Sequence, residues 1–202
     1  DDTLLAGLDI SGGANGVAAG GAGTTVRNLA VSGAADAGFY IGGMYSGSTI
    51  TGNTATNNGS VGFLVDNFEG GTISDNMATG NPPTNFFISN FNGGTFSNNL
   101  AIDGHNDGFL VSNFNGGVFR DNVASRNLTG FRITTMNGGV MSSNTASDKD
   151  SHGFHIEQFF GGTLSGNTAT ANDGGFYVDD FIGGTITGNT ATANNNRFAV
   201  YD

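Results

Sequence analysis

The sequence predicts an all-β protein, a right-handed parallel β-helix, which is a solenoid of about nine coils. Its 202 residues consist largely of one segment that recurs every 22–24 residues, as in GFYVDDFIGGTITGNTATANNN at 175–196. A fixed period in this range is typical of proteins in which each repeat forms one coil and packs on the next. In the regular repeats a Phe, a pair of small residues (usually Gly-Gly) and an Asn stand at nearly constant distances. We therefore expect like residues to stack above each other.

The alternation of residues predicts three short strands in each coil. The Phe is followed two positions later by Ile or Val, and residues two apart point to the same side of a strand. A second strand follows the Gly-Gly pair and a third is centred on an Ala. Crossovers between parallel strands are almost always right-handed, and the six-residue apolar period of left-handed hexapeptide helices is absent. The column of Phe residues comprises Phe39, Phe63, Phe86, Phe109, Phe131, Phe154, Phe176 and Phe198.

An Asn stands three residues after the inward apolar residue of each second strand. A buried amide is costly unless it is hydrogen-bonded, and stacked amides can bond to one another along the column. We therefore predict stacks of Phe rings and a ladder of Asn side chains inside the coils. The ladder comprises Asn53, Asn76, Asn99, Asn122, Asn144, Asn167 and Asn189.

The repeats indicate a single β-helix domain over 1–202. Residues 1–37 read as degenerate coils, 38–196 as seven regular coils and 197–202 as the start of a further coil. An uncovered parallel edge favours aggregation, and natural solenoids cap their ends. We therefore expect this chain to be part of a longer rod, or its ends to be covered by a partner.

The composition limits the classes of partner. Six Lys and Arg against seventeen Asp and Glu give a net charge of −11, which argues against nucleic acid because phosphate contacts need a basic surface. No apolar run approaches the roughly 20 residues of a membrane span. There is no cysteine, and we predict no cofactor and no metal site. A Thr- and Asn-rich, Lys-poor, acidic repeat protein is typical of an extracellular or cell-surface location.

The outward positions of the Phe strand hold the candidate binding residues. Glu157 and Asp179 are expected to be stacked neighbours, close enough to share a cation or a proton. Because no loop exceeds a few residues, we expect no deep cleft, and a solvated acidic face is favoured over a catalytic site. Whether the protein is an enzyme is left open, leaning towards no, and no catalytic residue is assigned. The candidate binding residues are Tyr40, Leu64, Phe87, Leu110, Arg132, His155, Glu157, Tyr177, Asp179 and Asp180.

Contiguous outward apolar residues predict a contact surface, whereas single ones carry no meaning. One such run lies among the residues above, at Leu64, Phe87 and Leu110, and a second lies on the Ala strands. The second run predicts side-by-side self-association. It comprises Met77, Leu100, Ile102 and Val123.

Two further features are assigned from the pattern. His105 and His152 are assigned to surface loops, and the stretch DKDSH at 148–152 to a loop of variable length. Outward Thr-x-Thr triplets, such as Thr185-Ile186-Thr187, resemble the arrays of ice-binding β-solenoids, although Arg120 interrupts one array.

The repeat unit GG-x-[IFLM]-x-x-N-x-A…GF-x-[IV] resembles the right-handed parallel β-helix repeat of the pectate-lyase-like superfamily. It is closest in character to passenger segments of autotransporter adhesins, and chlamydial polymorphic membrane proteins have comparable GG-[AILV] and F-x-x-N tetrapeptides. The DPHD motif of mannuronan epimerases and the GHG and RIK motifs of polygalacturonases are absent. The resemblance implies the fold, and function only by analogy.

The sequence therefore predicts a non-catalytic, extracellular, adhesin-like β-solenoid. Its flat outer faces are expected to mediate self-association or to contact a cell-surface glycan or another partner. The alternative is a protein that binds or degrades polysaccharides through the outward residues of the Phe strand. A lesser alternative is an ice-binding protein.

Overall fold

The structure, a computed structural model, describes residues 4–202 apart from the side chains of Lys149 and Asp150. These residues form 25 β-strands and no helix. The strands wind into a right-handed parallel β-helix with three faces, as the sequence predicts. Face 1 carries the Phe strands, face 2 the strands after Gly-Gly, and face 3 the Ala strands.

Each face is a stack of parallel strands, one for each coil. Face 1 contains β3 (Val17–Gly21), β6 (Phe39–Met44), β9 (Val61–Phe68), β12 (Thr84–Phe91), β15 (Asp107–Phe114), β18 (Thr129–Met136) and β25 (Asn196–Val200). Face 2 contains β1 (Leu4–Ala6), β4 (Thr25–Arg27), β7 (Thr49–Thr51), β10 (Thr72–Ser74), β13 (Thr95–Ser97), β16 (Val118–Arg120), β19 (Val140–Ser142), β21 (Thr163–Ser165) and β23 (Thr185–Thr187). Face 3 contains β2 (Asp9–Ser11), β5 (Ala30–Ser32), β8 (Thr54–Thr56), β11 (Met77–Thr79), β14 (Leu100–Ile102), β17 (Val123–Ser125) and β24 (Thr190–Thr192). Two longer strands, β20 (Thr145–Phe159) and β22 (Thr168–Val178), run from face 3 into face 1.

The register of the strands confirms the predicted stacking. Face 2 is a nine-stranded sheet, and faces 1 and 3 together form a second sheet. Equivalent residues pair directly: Phe86 lies opposite Phe63 on one side and Phe109 on the other. About eight full turns separate the first and last strands of face 2, close to the expected nine coils.

The core is built from stacked Phe rings. Phe39 and Phe63 stack with ring centroids 4.5 Å apart, and the same stacking continues along the column to Phe198. Phe119 meets Phe109 edge-to-face at 5.7 Å, which joins the ring stack of face 2 to that of face 1. Aromatic pairs of both kinds add about 0.5–1.5 kcal/mol each beyond the burial of their area. Phe198, on the last strand, remains 46% exposed.

The predicted Asn ladder is present at the turn between faces 2 and 3, and we call it the first ladder. The Nδ2 of each Asn from Asn53 to Asn167 donates to Oδ1 of the next Asn at 2.9–3.0 Å. The same Oδ1 also accepts from the backbone N–H of the preceding Asn, as Asn122 does from Asn99. The buried amides are thereby satisfied within the column.

A second ladder, which the sequence analysis did not predict, lies at the turn between faces 3 and 1. Asn58 donates to Asn81 at 2.9 Å, and Asn172 donates to Asn194 at 2.9 Å. One coil has no Asn at the ladder position, because Gly104 stands where its neighbours have Asn81 and Asn127. The side chain of Asn85 supplies the amide instead. Asn85 accepts from Asn81 and donates to Asn127, both at 3.0 Å.

Gly-Gly is required at the turn between faces 1 and 2. Gly94 has φ +82°, and a Cβ there would lie 2.7 Å from the carbonyl oxygen of Gly71 in the preceding coil. The second Gly of the pair therefore allows both the left-handed conformation and the close approach of successive coils.

The prediction of a loop at 148–152 is wrong. This stretch lies within β20, which pairs with β22 across the corner and absorbs the extra length in a register shift between Lys149 and His152. Backbone pairing with the next coil continues through the corner. In these two coils the strands of faces 3 and 1 are therefore continuous, and the expected three short strands become two.

Candidate functional site

The outward side chains of face 1 form one column along the rod, and we call it the face 1 column. Each member follows a buried column Phe by one position, so the parallel register places it above its equivalent in the preceding coil. All seven predicted members are brought together in this way. They are Tyr40, Leu64, Phe87, Leu110, Arg132, His155 and Tyr177.

The first half of the column is apolar. Leu64, Phe87 and Leu110 are half-buried and line a shallow depression together with Val61 and Pro83. The depression lies beside the turn between faces 3 and 1. It offers a continuous apolar strip to a ligand that lies along the rod.

The second half of the column is polar and contains an ion pair between neighbouring coils. Arg132 Nε donates to Oε1 of Glu157 at 2.8 Å, and Nη2 lies 2.6 Å from the same oxygen. The hydrogen bond to Glu157 raises the pKa of Arg132. Burial and the charge of Asp179 raise the pKa of Tyr177. Of the two carboxylates that were expected to share a cation or a proton, Glu157 therefore has Arg132 as a partner.

Asp180 stands apart from this pair. It is exposed at the turn that follows β22, with φ +43°, and its backbone carbonyl accepts from the N–H of Phe159.

Three aromatic side chains meet at the end of the polar half. The ring of His152 lies 5.4 Å from that of His155 and 5.2 Å from that of Tyr177, and His155 meets Tyr177 edge-on at 5.1 Å. The assignment of His152 to a loop is wrong, because it lies in β20 opposite Gly174. His105 is exposed between β14 and β15.

Asp107 is a candidate residue that the sequence reasoning missed. It is 6% exposed, and its desolvation raises the pKa of the carboxyl group, against the charge of Arg132 and a hydrogen bond with Thr129. It belongs to a column two residues before each core Phe, where Asp107 is the only acidic residue and His152 the only His. This column of the sequence could have identified Asp107 as a candidate. A buried carboxyl whose pKa responds to the charges of Arg132 and Glu157 is a typical setting for a functional site.

Burial lowers the pKa of both His152 and His155 from the ordinary value of 6.5. The charge of Asp173 opposes this shift at His152. At His155 the charges of His152 and Arg132 reinforce it, while those of Glu157 and Asp179 oppose it. Both imidazoles are therefore neutral at pH 7.

Acidification should destabilise the fold through these two groups. The unfolded chain takes up protons near pH 6.5, whereas the folded chain does so only at lower pH, so stability is full above 6.5 and falls as the pH drops below it. His155→Gln should flatten the decrease between pH 7 and 5, as measured by urea unfolding at each pH. An unchanged pH slope in this variant would contradict the assignment. The raised pKa of Asp107 has the opposite effect, because it favours the folded chain at low pH. We expect this contribution to be the same in the variant and in the unaltered protein.

Among the side chains that the structure describes, no group of three or more His, Cys, Asp or Glu is placed to hold a metal ion. Over the same residues, no helix is long and apolar enough to cross a membrane.

The fold and the repeat define a right-handed β-helix protein. Residues 2–135 match the family described as right handed beta helix region, and residues 72–202 match the family described as periplasmic copper-binding protein (NosD). Each match covers more than half of the chain, so the chain belongs to the right-handed β-helix and NosD families. The second match points to an exported location outside the cytoplasm. No curated protein and no solved structure matches the chain significantly.

Proposed function

We propose that this protein is a non-catalytic, adhesin-like β-solenoid of the cell surface that binds a neutral glycan along face 1. The observation that carries the proposal is the face 1 column, an unbroken row of aromatic, aliphatic and polar side chains over seven coils. The exported location of the NosD family supports a role outside the cytoplasm.

The chemistry of the column suits a sugar chain. A pyranose ring has an apolar C–H face, which packs on aromatic and aliphatic side chains, and a rim of hydroxyls, which needs hydrogen-bonding groups. Phe87 and Leu110 supply the apolar surface, and a row of outward amides runs parallel to them. In that row Asn90 donates to Asn67 at 2.8 Å and Asn113 donates to Asn90 at 2.9 Å.

The charge of the protein favours a neutral glycan over an acidic one. The net charge is −11, and the only cation of the face 1 column, Arg132, is already paired with Glu157. An acidic polysaccharide would meet repulsion from most directions.

Replacing Tyr177 by Ala should weaken binding to neutral polysaccharides about tenfold, because one ring contact of roughly 1.4 kcal/mol is lost. Binding is measured by affinity electrophoresis against xylan, glucomannan and starch, with pectate and alginate as acidic probes. Tyr45→Ala is the matched control, since Tyr45 is exposed but lies outside the column. Equal binding by both variants, or binding only to the acidic probes, would overturn the proposal.

An enzyme acting on polysaccharides is the second candidate. It is favoured by the shifted pKa values of His152, His155 and Asp107 around the Arg132–Glu157 pair. The same polysaccharides are assayed for new reducing ends or unsaturated products. Turnover that Asp179→Asn abolishes without loss of binding would replace the first proposal by this one.

Copper binding is not included in the proposal. Among the described residues no three His, Cys, Asp or Glu are placed to hold a metal ion, and the chain contains no cysteine.

A further inference from the structure

Face 3 presents two outward columns whose composition is symmetric about β14. The apolar residues occupy the central coils, and residues with hydroxyl groups occupy the coils on either side. The first column reads Thr54, Met77, Leu100, Val123 and Thr145. The second column reads Thr56, Thr79, Ile102, Ser125 and Ser147.

The apolar part of these columns, Met77, Leu100, Ile102 and Val123, is at the surface. The first three side chains are half-buried and Val123 is 36% exposed. Their neighbours in register are Thr and Ser, so the apolar residues form one isolated patch on a flat sheet. Contiguous exposed apolar residues of this kind mark contact sites.

Face 3 is also free of charge over most of its length. From Ala30 and Ser32 to Thr190 and Thr192, neither outward column contains a charged residue, although the chain carries a net charge of −11. Two copies of an acidic protein repel each other, and this repulsion is weakest where neither surface carries charge. The partner that best fits an uncharged face on this protein is therefore the same face of a second copy.

The geometry points to a two-fold dimer in which the face 3 sheets of two antiparallel rods pack on each other, centred on Leu100 and Ile102. This arrangement places Leu100 opposite its own copy, Ile102 opposite its own copy, and Met77 opposite Val123. All the apolar residues then meet apolar partners, and the Thr residues at 54 and 145 meet each other.

A parallel arrangement of the rods fits less well. A two-fold axis along the rod would exchange the two columns, because it reverses the direction of the strands. Met77 would then face Thr79 of the other copy, and Val123 would face Ser125. Two apolar contacts would be replaced by contacts with hydroxyl groups.

The inference deepens the proposed function, because it identifies a second copy of this chain as the partner of one flat face. It uses face 3 and not face 1, so glycan binding and dimerisation are expected to fail independently. Since five layers of three-residue strands cover less than the roughly 800 Å² per partner of a standard interface, we expect a weak dimer.

Sedimentation equilibrium of the whole chain tests this inference. A monomer–dimer equilibrium is expected, and Val123→Asp should raise its dissociation constant at least tenfold. Val140→Asp is the matched control, because Val140 is also 36% exposed and also begins a three-residue strand, but lies on face 2. A monomer at every concentration, or an equal effect of both variants, would overturn the proposal.

A triple variant guards against misfolding as an explanation. Met77→Thr, Leu100→Thr and Val123→Thr introduce the residue that stands at this position in Thr54, Thr145 and Thr168, so the fold should accept them. The triple variant should be monomeric, with unchanged glycan binding if the face 1 proposal holds. Dimerisation at the original strength would contradict the proposed interface.

Cross-linking distinguishes the two orientations, because the chain has no cysteine of its own. In the antiparallel dimer Thr54→Cys and Thr145→Cys face each other across the interface. Two copies of Thr54→Cys alone are separated along the rod by about 19 Å, which is four layers of about 4.8 Å. A short bismaleimide should therefore link the mixed pair and not Thr54→Cys alone, and the reverse result would overturn the antiparallel arrangement.

Discussion

Replacing Asn122 by alanine should lower the free energy of unfolding by about 3–6 kcal/mol. Several buried polar groups would lose their hydrogen-bond partner, and each such loss costs about 1–3 kcal/mol. The side chain of Asn122 accepts from the backbone N–H and Nδ2 of Asn99, at 2.9 and 3.0 Å. It donates to the carbonyl oxygen of Phe96 at 3.2 Å and to Oδ1 of Asn144 at 3.0 Å. Truncation breaks all four bonds in a region from which solvent is excluded.

Asn115→Ala provides the matched control in the same coil. Asn115 also belongs to a row of amides, since it donates to Asn92 and accepts from Asn137, both at 2.7 Å. It is exposed, so water replaces its partners, and we expect a loss within about 0.5 kcal/mol. Both variants are compared by urea unfolding followed by circular dichroism. A similar loss in both would show that burial of the first ladder is not what makes it stabilising.

The second large effect concerns Asn85 and Gly104, which have exchanged roles relative to the other coils. In most other coils a Gly precedes the core Phe and an Asn occupies the second ladder, as with Gly62 and Asn81. Asn85→Gly should cost about 2–4 kcal/mol, because it removes the amide between Asn81 and Asn127 and leaves a cavity. Gly104→Asn alone should cost about 1–3 kcal/mol, since a Cβ there would lie 2.7 Å from Nδ2 of Asn85.

The double variant Asn85→Gly/Gly104→Asn should be more stable than either single variant. It restores the arrangement of the other coils, in which the ladder amide comes from the corner itself. Urea unfolding of all four proteins gives the coupling energy, which we expect to be at least about 2 kcal/mol in favour of the pair. Additive losses in the double variant would mean that Asn85 does not substitute for a ladder residue.

The fold was predictable because the stacking places identical residues in contact. The Phe column and the first ladder are visible in the sequence, since each repeats one residue type at a fixed position. Each residue of these columns packs on, or is hydrogen-bonded to, the same residue type in the next coil. The second ladder was not predicted because its column is interrupted by Gly104 and Lys149, and because Asn85 enters it from another position. The continuous strand through 148–152 was missed because it depends on backbone pairing with β22, which leaves no side-chain pattern.

The sequence predicts which residues of the candidate site share a column, but not which of their side chains contact each other. The alternation of a strand places Arg132, His155 and Tyr177 in one row. It does not determine that Arg132 reaches Glu157 in the next coil, because a long side chain has several partners within range. His152 joins the site only because the register shift near Lys149 keeps it in a strand.

The amides of the first ladder all point the same way, so the rod has a direction. Each Nδ2 donates to the coil that follows it in the chain, and each Oδ1 accepts from the coil before it. A rod divided between two coils would therefore expose amide N–H donors on one new end and amide oxygen acceptors on the other. The two new ends would attract different groups, although every coil is built from the same repeat.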